Sequence, residues 1–436
     1  MDAKQMQELQ QRVSRRAALL ENIRSTYPDK QGAVVLCAAF EREREPFFQD
    51  STFTYFVGID EPGLVFYQKL EGQATLYEPH YATARSVWLP LKKDQALLAA
   101  VGIEKETFLG EPIKGYSLDP LLVMSQVKTL VEHLSLVVHA GHSVFVPLQE
   151  VSFESAMYLR QLCSFVPGLF EQIIDISPLI GQLRRKKDMR ELELMYRAIE
   201  ITASAQDAAA QVIRPEISES QVQAAIDFVF ADNQAVRAFP SIVGSGKNST
   251  VLHYVDNKSV MKTGDLVVVD IGASYNHYAA DVTRTYPVSG SFTARQKEIY
   301  QLVLDAQTFV AEAARPGMYL RNAQFPDQSL HHLAAKFFEE HGYGKYFPHG
   351  VGHFVGLDVH DVEDRTKPLQ PGDVFTIEPG LYIPEEKLGV RIEDMYWIVE
   401  DGVVCLTEGI IKEIDEVEEL MLLLKGELED EMRSKS

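Results

Sequence analysis

The 436-residue sequence has few cysteines and no long apolar run, and each shortage excludes a class of protein. Its three cysteines, Cys37, Cys163 and Cys405, lie too far apart for a CxxC motif or a disulfide framework, which is typical of a reducing compartment. No stretch approaches the roughly 20 apolar residues of a membrane-spanning helix, and residues 1–16 lack the apolar core of a secretory signal. We therefore expect no membrane partner and, by default, a cytoplasmic location.

Positive charge is also scarce. The chain has 42 lysines and arginines against 63 aspartates and glutamates, which gives a net charge of -21. Proteins that bind nucleic acid neutralise its phosphates with a basic face, so this balance argues against a nucleic-acid partner. The hydrophobic content of 46% is that of an ordinary globular protein, and the length exceeds what one core usually spans, which predicts two domains.

The first domain, over residues 1–176, is predicted to be an α/β domain without recognisable chemistry. A polar helix is predicted over residues 5–24, apolar strand-like runs follow it, and residues 133–138 are a further strand candidate. The turn-like Ser177-Pro178 then precedes a long helical pattern. The second domain is therefore placed at residues 177–436.

The second half contains a faint internal repeat. Residues 262–272 can be aligned with residues 370–380, since each segment is a Gly-Asp turn, a β-rich run and then one acid. The pairs Arg214-Pro215 and Arg315-Pro316 each close a helical pattern at a similar offset. The two matches together predict a duplicated αβ unit with pseudo-twofold symmetry, in which the two acids meet near the axis.

Acidic residues follow the strands of the first copy. Asp270 ends one apolar strand, and Asp281 lies in the next strand-like run. A hairpin centred on Tyr275 and Asn276 would set the two acids directly opposite each other, with Cβ atoms about 5 Å apart. Carboxylates that close in an apolar sheet repel unless one is protonated or a cation lies between them. For either acid alone, a position facing solvent is the ordinary alternative.

The second copy repeats this arrangement. Glu378 ends its apolar strand as Asp270 ends the first, and the next strand carries Arg391 and Glu393 on one face. Alone, such a pair is most often a plain salt bridge. Four acids at the ends of matched strands instead indicate a shared site.

Histidines accompany these acids in the glycine-rich stretch HGVGHFVGLDVH, which contains His349, His353 and His360. Glycines allow a ligand or metal to approach the backbone closely. The alternative is a glycine-rich turn with incidental histidines, and His253 could equally be a histidine of the core.

Carboxylates with one imidazole form an oxygen-rich site that suits Mn²⁺ or similar ions. Two such ions about 3.5 to 4 Å apart can share carboxylates and a water, whose lowered pKa makes hydroxide available near neutral pH. The sequence contains no GxSxG, HExxH or GxxxxGK[ST] motif. A two-metal hydrolase is therefore predicted.

Residues 176–407 resemble the metallopeptidase family of aminopeptidase P, prolidase and methionine aminopeptidase, whose catalytic domain is called the pita-bread fold. The motifs HGVGHFVGLDVHD at residues 349–361 and DVTRTYPV at residues 281–288 are those of the proline-specific branch. The first half is similar to the domain that precedes the catalytic one in aminopeptidase P, at residues 44–51 and 53–62. The resemblance implies an α/β fold, in which the second domain is a pita-bread domain with a curved antiparallel sheet.

The resemblance also implies a role for each site residue. The family's metal ligands fall on Asp270, Asp281, His353, Glu378 and Glu393, of which Asp281 and Glu393 are the bridging acids. The histidines that match substrate-contacting or intermediate-stabilising positions are His253, His349 and His360, and Arg391 matches an arginine beside the metal ligand Glu393. Glu378 is the predicted proton shuttle. Two divalent ions are implied, with Mn²⁺ favoured and Co²⁺ or Zn²⁺ as alternatives.

The implied activity is removal of the N-terminal residue from peptides with proline in second position. A strict Xaa-Pro dipeptidase is the nearest alternative, because it shares the whole metal site. A metal-free binding module of the same fold and a metal-free creatinase-like hydrolase are two others, and the intact set of ligands argues against both. A homodimer or homotetramer is expected from the resemblance alone.

Overall fold

The computed structural model describes residues 3–41, 46–81, 85–89, 93–113, 120–149, 151–364 and 366–435. Arg44 and Glu45 of the first family-like segment thus lie outside the described residues. The chain forms two compact units, residues 1–184 and residues 185–436. The boundary predicted after Ile176 lies a few residues earlier, just before the helix at which the units divide. In the described part of the chain, no helix is both long and apolar enough to cross a membrane.

The first unit contains a six-stranded mixed sheet. Its strands are β1 (Gly32–Cys37), β2 (Val65–Lys69), β3 (Ala74–Glu78), β4 (Lys105–Phe108), β5 (Ser143–Val146) and β6 (Ile173–Asp175). They lie in the order β4-β3-β2-β1-β5-β6, with β1 antiparallel to β2 and parallel to β5. The mixture of parallel and antiparallel pairs confirms the predicted α/β class.

Nine described helices accompany this sheet, and the predicted polar helix is the first of them. They are α1 (Ala3–Thr26), α2 (Ser51–Phe56), α3 (Arg85–Trp88), α4 (Gln95–Ala100), α5 (Pro120–Ser125), α6 (Lys128–His139), α7 (Phe153–Phe165), α8 (Leu169–Gln172) and α9 (Ser177–Arg185). The strand predicted at residues 133–138 is wrong, because this run lies inside α6. Its apolar residues form a helical face, with Leu130, Leu134 and Val137 buried at helical spacing.

The second unit packs five described helices around antiparallel strands. The helices are α10 (Met189–Val212), α11 (Glu219–Asp232), α12 (Ala294–Ala313), α13 (Leu330–Glu340) and α14 (Ile414–Lys435). The strands are β7 (Val236–Arg237), β8 (Ile242–Ser245), β9 (Leu266–Ile271), β10 (Ala273–Tyr275), β11 (Tyr278–Ala279), β12 (Val282–Pro287), β13 (Val374–Ile377), β14 (Gly380–Ile383), β15 (Leu388–Arg391), β16 (Asp394–Val399) and β17 (Gly402–Cys405).

Strand pairing within this unit is antiparallel throughout the described ladders. The central strand β9 lies between β12 and β8, and β16 lies between β13 and β17. Every residue of β9, β12 and β13 is buried, so these strands form the middle of the hydrophobic core.

The predicted duplication is confirmed by matched hydrogen bonds in the two copies. On α10, the amide of Gln206 donates to Val269 O at 3.2 Å and to Val282 O at 2.9 Å. On α12, the amide of Gln307 donates to Ile377 O and to Ile392 O, both at 3.1 Å. Each buried glutamine therefore connects its helix to two main-chain carbonyls whose residues adjoin a candidate acid in the sequence.

The two Gly-Asp turns also match. Asp265 Oδ2 accepts from Lys262 N at 2.9 Å, and Asp373 Oδ2 accepts from Gln370 N at the same distance. The preceding glycine is left-handed in both turns, with a φ of 89° at Gly264 and 100° at Gly372. The two copies therefore share the hydrogen bonds and backbone conformation of this turn, in addition to matching strands.

The hairpin after β9 has a different register from the predicted one. Its central residues are Asn276 and His277, which both have positive φ, as a two-residue type I′ turn requires. Asp270 is therefore paired with Thr283, and the predicted pairing with Asp281 is wrong. Asp281 lies two residues before Thr283, so it still points to the same face as Asp270.

Replacing Gln206 with methionine is expected to lower the free energy of unfolding by about 1–3 kcal/mol, because two buried carbonyls lose a donor. The hydroxyl of Tyr286, which donates to Gln206 Oε1 at 3.2 Å, loses its acceptor as well. Chemical denaturation measures the change. Gln211 lies on the same helix with an exposed side chain, so Gln211→Met is the matched control. Equal losses in the two variants would contradict the bridging role.

Candidate metal centre

Both copies of the repeat contribute acids to one place. Asp270 lies near the end of β9, and Asp281 lies between β11 and β12. Glu378 directly follows β13, and Glu393 lies between β15 and β16. The two copies are joined there, because Glu393 N donates to Thr283 O at 3.1 Å. The backbone therefore holds acids from both copies at the same edge.

His353 reaches the acids because the glycine-rich segment runs beside β13. Thr376 N donates to His353 O, and Glu378 N donates to Val351 O, both at 2.8 Å. A Cβ atom at Gly352 would lie 1.9 Å from Thr376 O, so only glycine permits this close approach. The sequence predicts that these glycines let a ligand or metal approach the backbone, whereas the neighbour found at Gly352 is the main chain of β13.

The ring of His353 presents one nitrogen to the carboxylates. Its Nδ1 lies 3.1 Å from Phe354 O, which fixes that nitrogen as the donor. The other nitrogen, Nε2, lies 3.4 Å from Asp281 Oδ2 and 3.6 Å from Glu378 Oε1. One ligand atom each from Asp281, His353 and Glu393 lies within 4.8 Å of the other two. An imidazole lone pair and two carboxylates thus face a common point.

Burial and mutual repulsion make these acids hard to ionise. The pKa of Asp281 is raised well above its ordinary value by burial and then by Glu393 and Asp270. Burial and then Glu393 likewise raise the pKa of Glu378. Burial, followed by the charge of Asp270, raises the pKa of Glu393 to about 7. The cluster therefore holds more negative charge than its protein surroundings neutralise.

Two carboxylate oxygens of this cluster lack a hydrogen-bond partner within the described residues. They are the buried Oδ1 atoms of Asp270 and Asp281. A buried carboxylate oxygen without a donor is costly, and a cation removes that cost. Carboxylates with one neutral imidazole are the donors that hard divalent ions accept, so the residues fit the expected metals.

Among the described residues, Arg391 is the one lysine or arginine that contacts a carboxylate of the candidate ligands directly. Its guanidinium donates to Asp270 Oδ2 at 2.7 Å and to the hydroxyl of Tyr382 at 2.9 Å. Its Nε donates to Thr283 Oγ1, and that hydroxyl donates to Glu393 Oε2 at 2.8 Å. Arg391 therefore orients a ligand from each copy, as its position beside Glu393 suggested.

Arg284 fixes the backbone behind the cluster. Its side chain is fully buried and donates to Glu393 O at 2.7 Å and to Asp394 Oδ1 at 2.7 Å. Because it lies on β12 next to Thr283, it holds β12 and β16 together from the face opposite to the acids. Sequence reasoning missed Arg284, since a lone arginine in a strand usually reaches solvent.

All nine residues predicted for the site line a single cavity of about 580 Å³. Besides the metal-ligand candidates, its wall includes His253, His349, His360 and Arg391. The structure thus brings the predicted residues together, and their individual roles stay predictions.

Thr283 and Tyr382, which sequence reasoning did not identify, complete the hydrogen bonds around them. Alternation along DVTRTYPV would have placed Thr283 on the face of Asp281.

Two of the cavity histidines are neutral near pH 7. Burial, and then the charge of Arg391, lowers the pKa of His349 to about 3. Its Nε2 lies 3.0 Å from the hydroxyl of Tyr382. Burial, and then His353, lowers the pKa of His360 to about 4, and the ring centroids of these two histidines are 4.0 Å apart. Neutral imidazoles can donate a hydrogen bond without bringing a charge into the cavity.

The segment that carries His253 is held by one buried acid. Glu219, in the first turn of α11, accepts from Ser245 N and Ser259 N at 2.8 Å each. It also accepts from the side chains of Asn248 at 3.0 Å and Tyr254 at 2.9 Å. These bonds fix the loop on both sides of His253. Sequence reasoning missed Glu219, because an acid in the first turn of a helix is ordinarily explained by the helix dipole.

Family comparisons agree with this geometry. The family described as metallopeptidase family M24 matches residues 193–400, and the aminopeptidase P N-terminal domain matches residues 13–109. An Xaa-Pro aminopeptidase from Escherichia coli (strain K12) is 32% identical over 446 residues, covering 94% of this chain and 96% of that protein. An Xaa-Pro dipeptidase from Pyrococcus furiosus is 42% identical, but over only 53% of this chain and 66% of that protein.

A solved structure of Escherichia coli aminopeptidase P with the inhibitor Pro-Leu is similar over 97% of this chain and 99% of that chain, with a TM-score of 0.77 and 27% identity. The fold and the cavity together define a metal-dependent peptidase. The chain belongs to metallopeptidase family M24, with the N-terminal domain of aminopeptidase P. The pita-bread fold implied by the sequence is confirmed, and the family implies divalent metal ions.

The metal-free protein is expected to lose stability as the pH rises from about 5 to 8. Glu393 binds its proton more tightly in the folded state, where its pKa is about 7, than in the unfolded chain, where it is near 4.5. The folded state therefore binds more protons in this window, and the free energy of unfolding falls by up to about 3 kcal/mol as they dissociate.

Thermal unfolding in a chelator at several pH values measures this effect, with Glu393→Gln as the control because it cannot titrate. The difference in melting temperature between the two proteins should change across the window. A constant difference would contradict the assigned repulsion.

Proposed function

We propose that this chain is an Xaa-Pro aminopeptidase, which removes the N-terminal residue from peptides with proline in second position. Asp270, Asp281, His353, Glu378 and Glu393 are the residues that would hold two divalent metal ions. The observation that carries the proposal is the buried cluster of Asp281, His353 and Glu393, in which a carboxylate oxygen still lacks a partner among the described residues.

The expected cofactor is a pair of Mn²⁺ ions, because carboxylates outnumber nitrogen donors and no cysteine lies among the candidate ligands. Co²⁺ and Zn²⁺ are the alternatives. When bound, such ions polarise a carbonyl and lower the pKa of water. The chain's own contribution is to hold the ligands rigidly, with Arg391, Thr283 and Tyr382 as the supporting hydrogen-bond partners.

Glu378 is assigned as the proton shuttle. Its carboxyl oxygens lie 3.6 Å from His353 Nε2 and 3.8 Å from His349 Nδ1, at the wall of the cavity. Burial and the charge of Glu393 raise the pKa of Glu378 in the metal-free protein, and bound cations would oppose that shift, so that the ionised carboxylate could accept a proton from water. It then returns that proton to the proline nitrogen as the peptide bond breaks.

The neutral histidines stabilise the negative charge that develops on the carbonyl oxygen. His360, together with His253 or His349, is assigned to donate a hydrogen bond there. Fixed donors in a buried cavity do this better than water, because they need no reorganisation during the reaction. The lowered pKa values of His349 and His360 keep these rings in the neutral form with one N–H each. Since Nδ1 of His349 donates to Gly350 O at 2.7 Å, its one N–H is already engaged, and this geometry favours His253 as the partner of His360.

Aminopeptidase activity is favoured over strict dipeptidase activity by the extent of the likeness. The bacterial Xaa-Pro aminopeptidase matches both units, whereas the archaeal Xaa-Pro dipeptidase matches about half of the chain. A cytoplasmic location and a homodimer or homotetramer remain predictions.

The purified protein with Mn²⁺ is expected to release glycine from Gly-Pro-Ala and to leave Gly-Ala-Ala intact, because proline in second position is the recognised feature. Chromatography of the released amino acid measures both reactions, and Gly-Pro is included as the dipeptide. Turnover of Gly-Pro without turnover of Gly-Pro-Ala would instead support a dipeptidase.

Replacing Glu393 with glutamine is expected to reduce bound metal and activity together, because the amide removes one charge from the shared cluster. Activity should fall by at least about a hundredfold, the scale expected when a partner of the metal is lost. Elemental analysis and the Gly-Pro-Ala assay measure the two quantities. Glu400→Gln changes an exposed acid just after β16 and is the matched control. Full metal content with near-normal turnover in Glu393→Gln would refute the ligand assignment.

A further inference from the structure

Arg321 is an exposed arginine in the wall of the acidic cavity. Of the described residues that line this cavity, the other arginine is Arg391, and that side chain is buried against Asp270 and Tyr382. Arg321 has no ion pair or hydrogen bond of its side chain within the described structure. Its guanidinium is therefore available to a ligand at the solvent-facing edge of the cavity.

The loop that presents Arg321 is held by its own hydrogen bonds. Tyr319 N donates to Gln328 O at 2.7 Å, and His331 N donates to Leu320 O at 3.0 Å, so the two ends of the loop are joined. Inside the loop, the rings of Tyr319 and Phe325 are stacked with centroids 5.5 Å apart. A fixed loop loses little conformational entropy when its side chain binds a ligand.

The position of Arg321 is on the side of the cavity formed by His349. His331 N donates to Leu320 O at 3.0 Å, which places the backbone of Arg321 beside His331. Burial, and then the charge of Arg321, lowers the pKa of His331 to about 4. The ring of His331 lies 5.8 Å from that of Phe347, which in turn lies 5.2 Å from that of His349. A row of rings thus connects the arginine to a proposed catalytic residue.

The charge of Arg321 is opposite to that of its surroundings. Four carboxylates at the metal centre line the same cavity, and the whole chain has a net charge of -21. In the proposed reaction the first residue of the peptide lies at the metal centre, so the residues after proline extend towards solvent. Outside the metal centre the chain is strongly acidic, so a free C-terminal carboxylate that leaves the cavity is repelled unless a cation receives it. The planar fork of an arginine matches a carboxylate with two parallel hydrogen bonds.

The size of the cavity suits a short peptide. Its volume of about 580 Å³ is within the range of roughly 300–1,000 Å³ that small-molecule sites occupy. A cavity of this size has room for a tripeptide or tetrapeptide, and Arg321 lines the same cavity as the acids.

We propose that Arg321 binds the C-terminal carboxylate of short Xaa-Pro peptides, so that tripeptides and tetrapeptides with a free carboxylate are the preferred substrates. The inference rests on the proposed aminopeptidase function. Because the contact is made in the ground state and in the transition state alike, it lowers KM and leaves kcat unchanged.

The test compares Ala-Pro-Ala and Ala-Pro-Ala-Ala, each as the free acid and as the C-terminal amide, with the Mn²⁺-loaded full chain. The wild type should cleave the free acid of at least one length with a kcat/KM about tenfold higher than its amide, as expected for one partly exposed charge pair. Arg321→Met should abolish or reverse that preference by raising KM for the acid alone. Arg321→Lys should retain part of it, because the charge remains and the fork is lost.

Arg315→Met is the matched control, since Arg315 is an exposed arginine just before the loop and does not line the cavity. It should keep the wild-type preference, and the melting temperatures of all variants report folding. Equal cleavage of acid and amide at both lengths by the wild type would overturn the proposal for Arg321 while leaving aminopeptidase activity intact. An unchanged preference in Arg321→Met would overturn it as well. Failure to cleave any of the four peptides would instead contradict the proposed function.

Discussion

Repulsion among buried carboxylates is the constraint around which the second unit is arranged. Asp281, Glu378 and Glu393 lie next to the ends of different strands and converge in the wall of one cavity, where burial and mutual repulsion raise the pKa of each. In the described structure, Arg391 is the one lysine or arginine whose side chain contacts a candidate ligand carboxylate, and that carboxylate is Asp270. One positive charge cannot neutralise four acids, so the arrangement is stable in its ionised form only with further cations. The resemblance to a two-metal family and the physical argument therefore lead to the same conclusion.

The duplicated fold explains how such a cluster can be held. Gln206 and Gln307 attach the two long helices to matched strand ends, and Arg284 ties β12 to the backbone of Glu393 from the opposite face. Each link is a buried polar group whose hydrogen bonds go to main-chain carbonyls. Such links define position more strictly than apolar packing does, because a displaced donor would remain buried without a partner. A site built this way keeps its ligands in place without relying on the metals alone.

Many of the residues in the cavity could be predicted from the sequence because the internal repeat showed which acids occupy equivalent positions. An acid at the end of one apolar strand is ordinary, but Asp270 and Glu378 occupy equivalent ends of two matching segments. The register of the hairpin could not be predicted in the same way. Asn276 and His277 both adopt positive φ, which moved the turn by one residue, and strand alternation alone does not determine where a turn falls.

Other features depend on contacts that are distant in sequence. The apolar run at residues 133–138 was ambiguous because short runs fit a strand or a helix equally well, and burial of one helical face in α6 decided it. Glu219 and Arg321 could not be recognised, since an acid in a first helical turn and an arginine in a loop are common. Their roles depend on the folded structure, in which Glu219 holds a loop by hydrogen bonds and Arg321 lines the cavity.

The most direct test of the central claim is a calorimetric titration of the chelated, metal-free protein with Mn²⁺ near pH 6.5, in two buffers of different ionisation enthalpy. Two ions should bind to each chain and release protons, because at least Glu393 is partly protonated there before the metal arrives. Binding of fewer than two ions, or binding without proton release, would contradict the convergence of the five donors on a pair of cations.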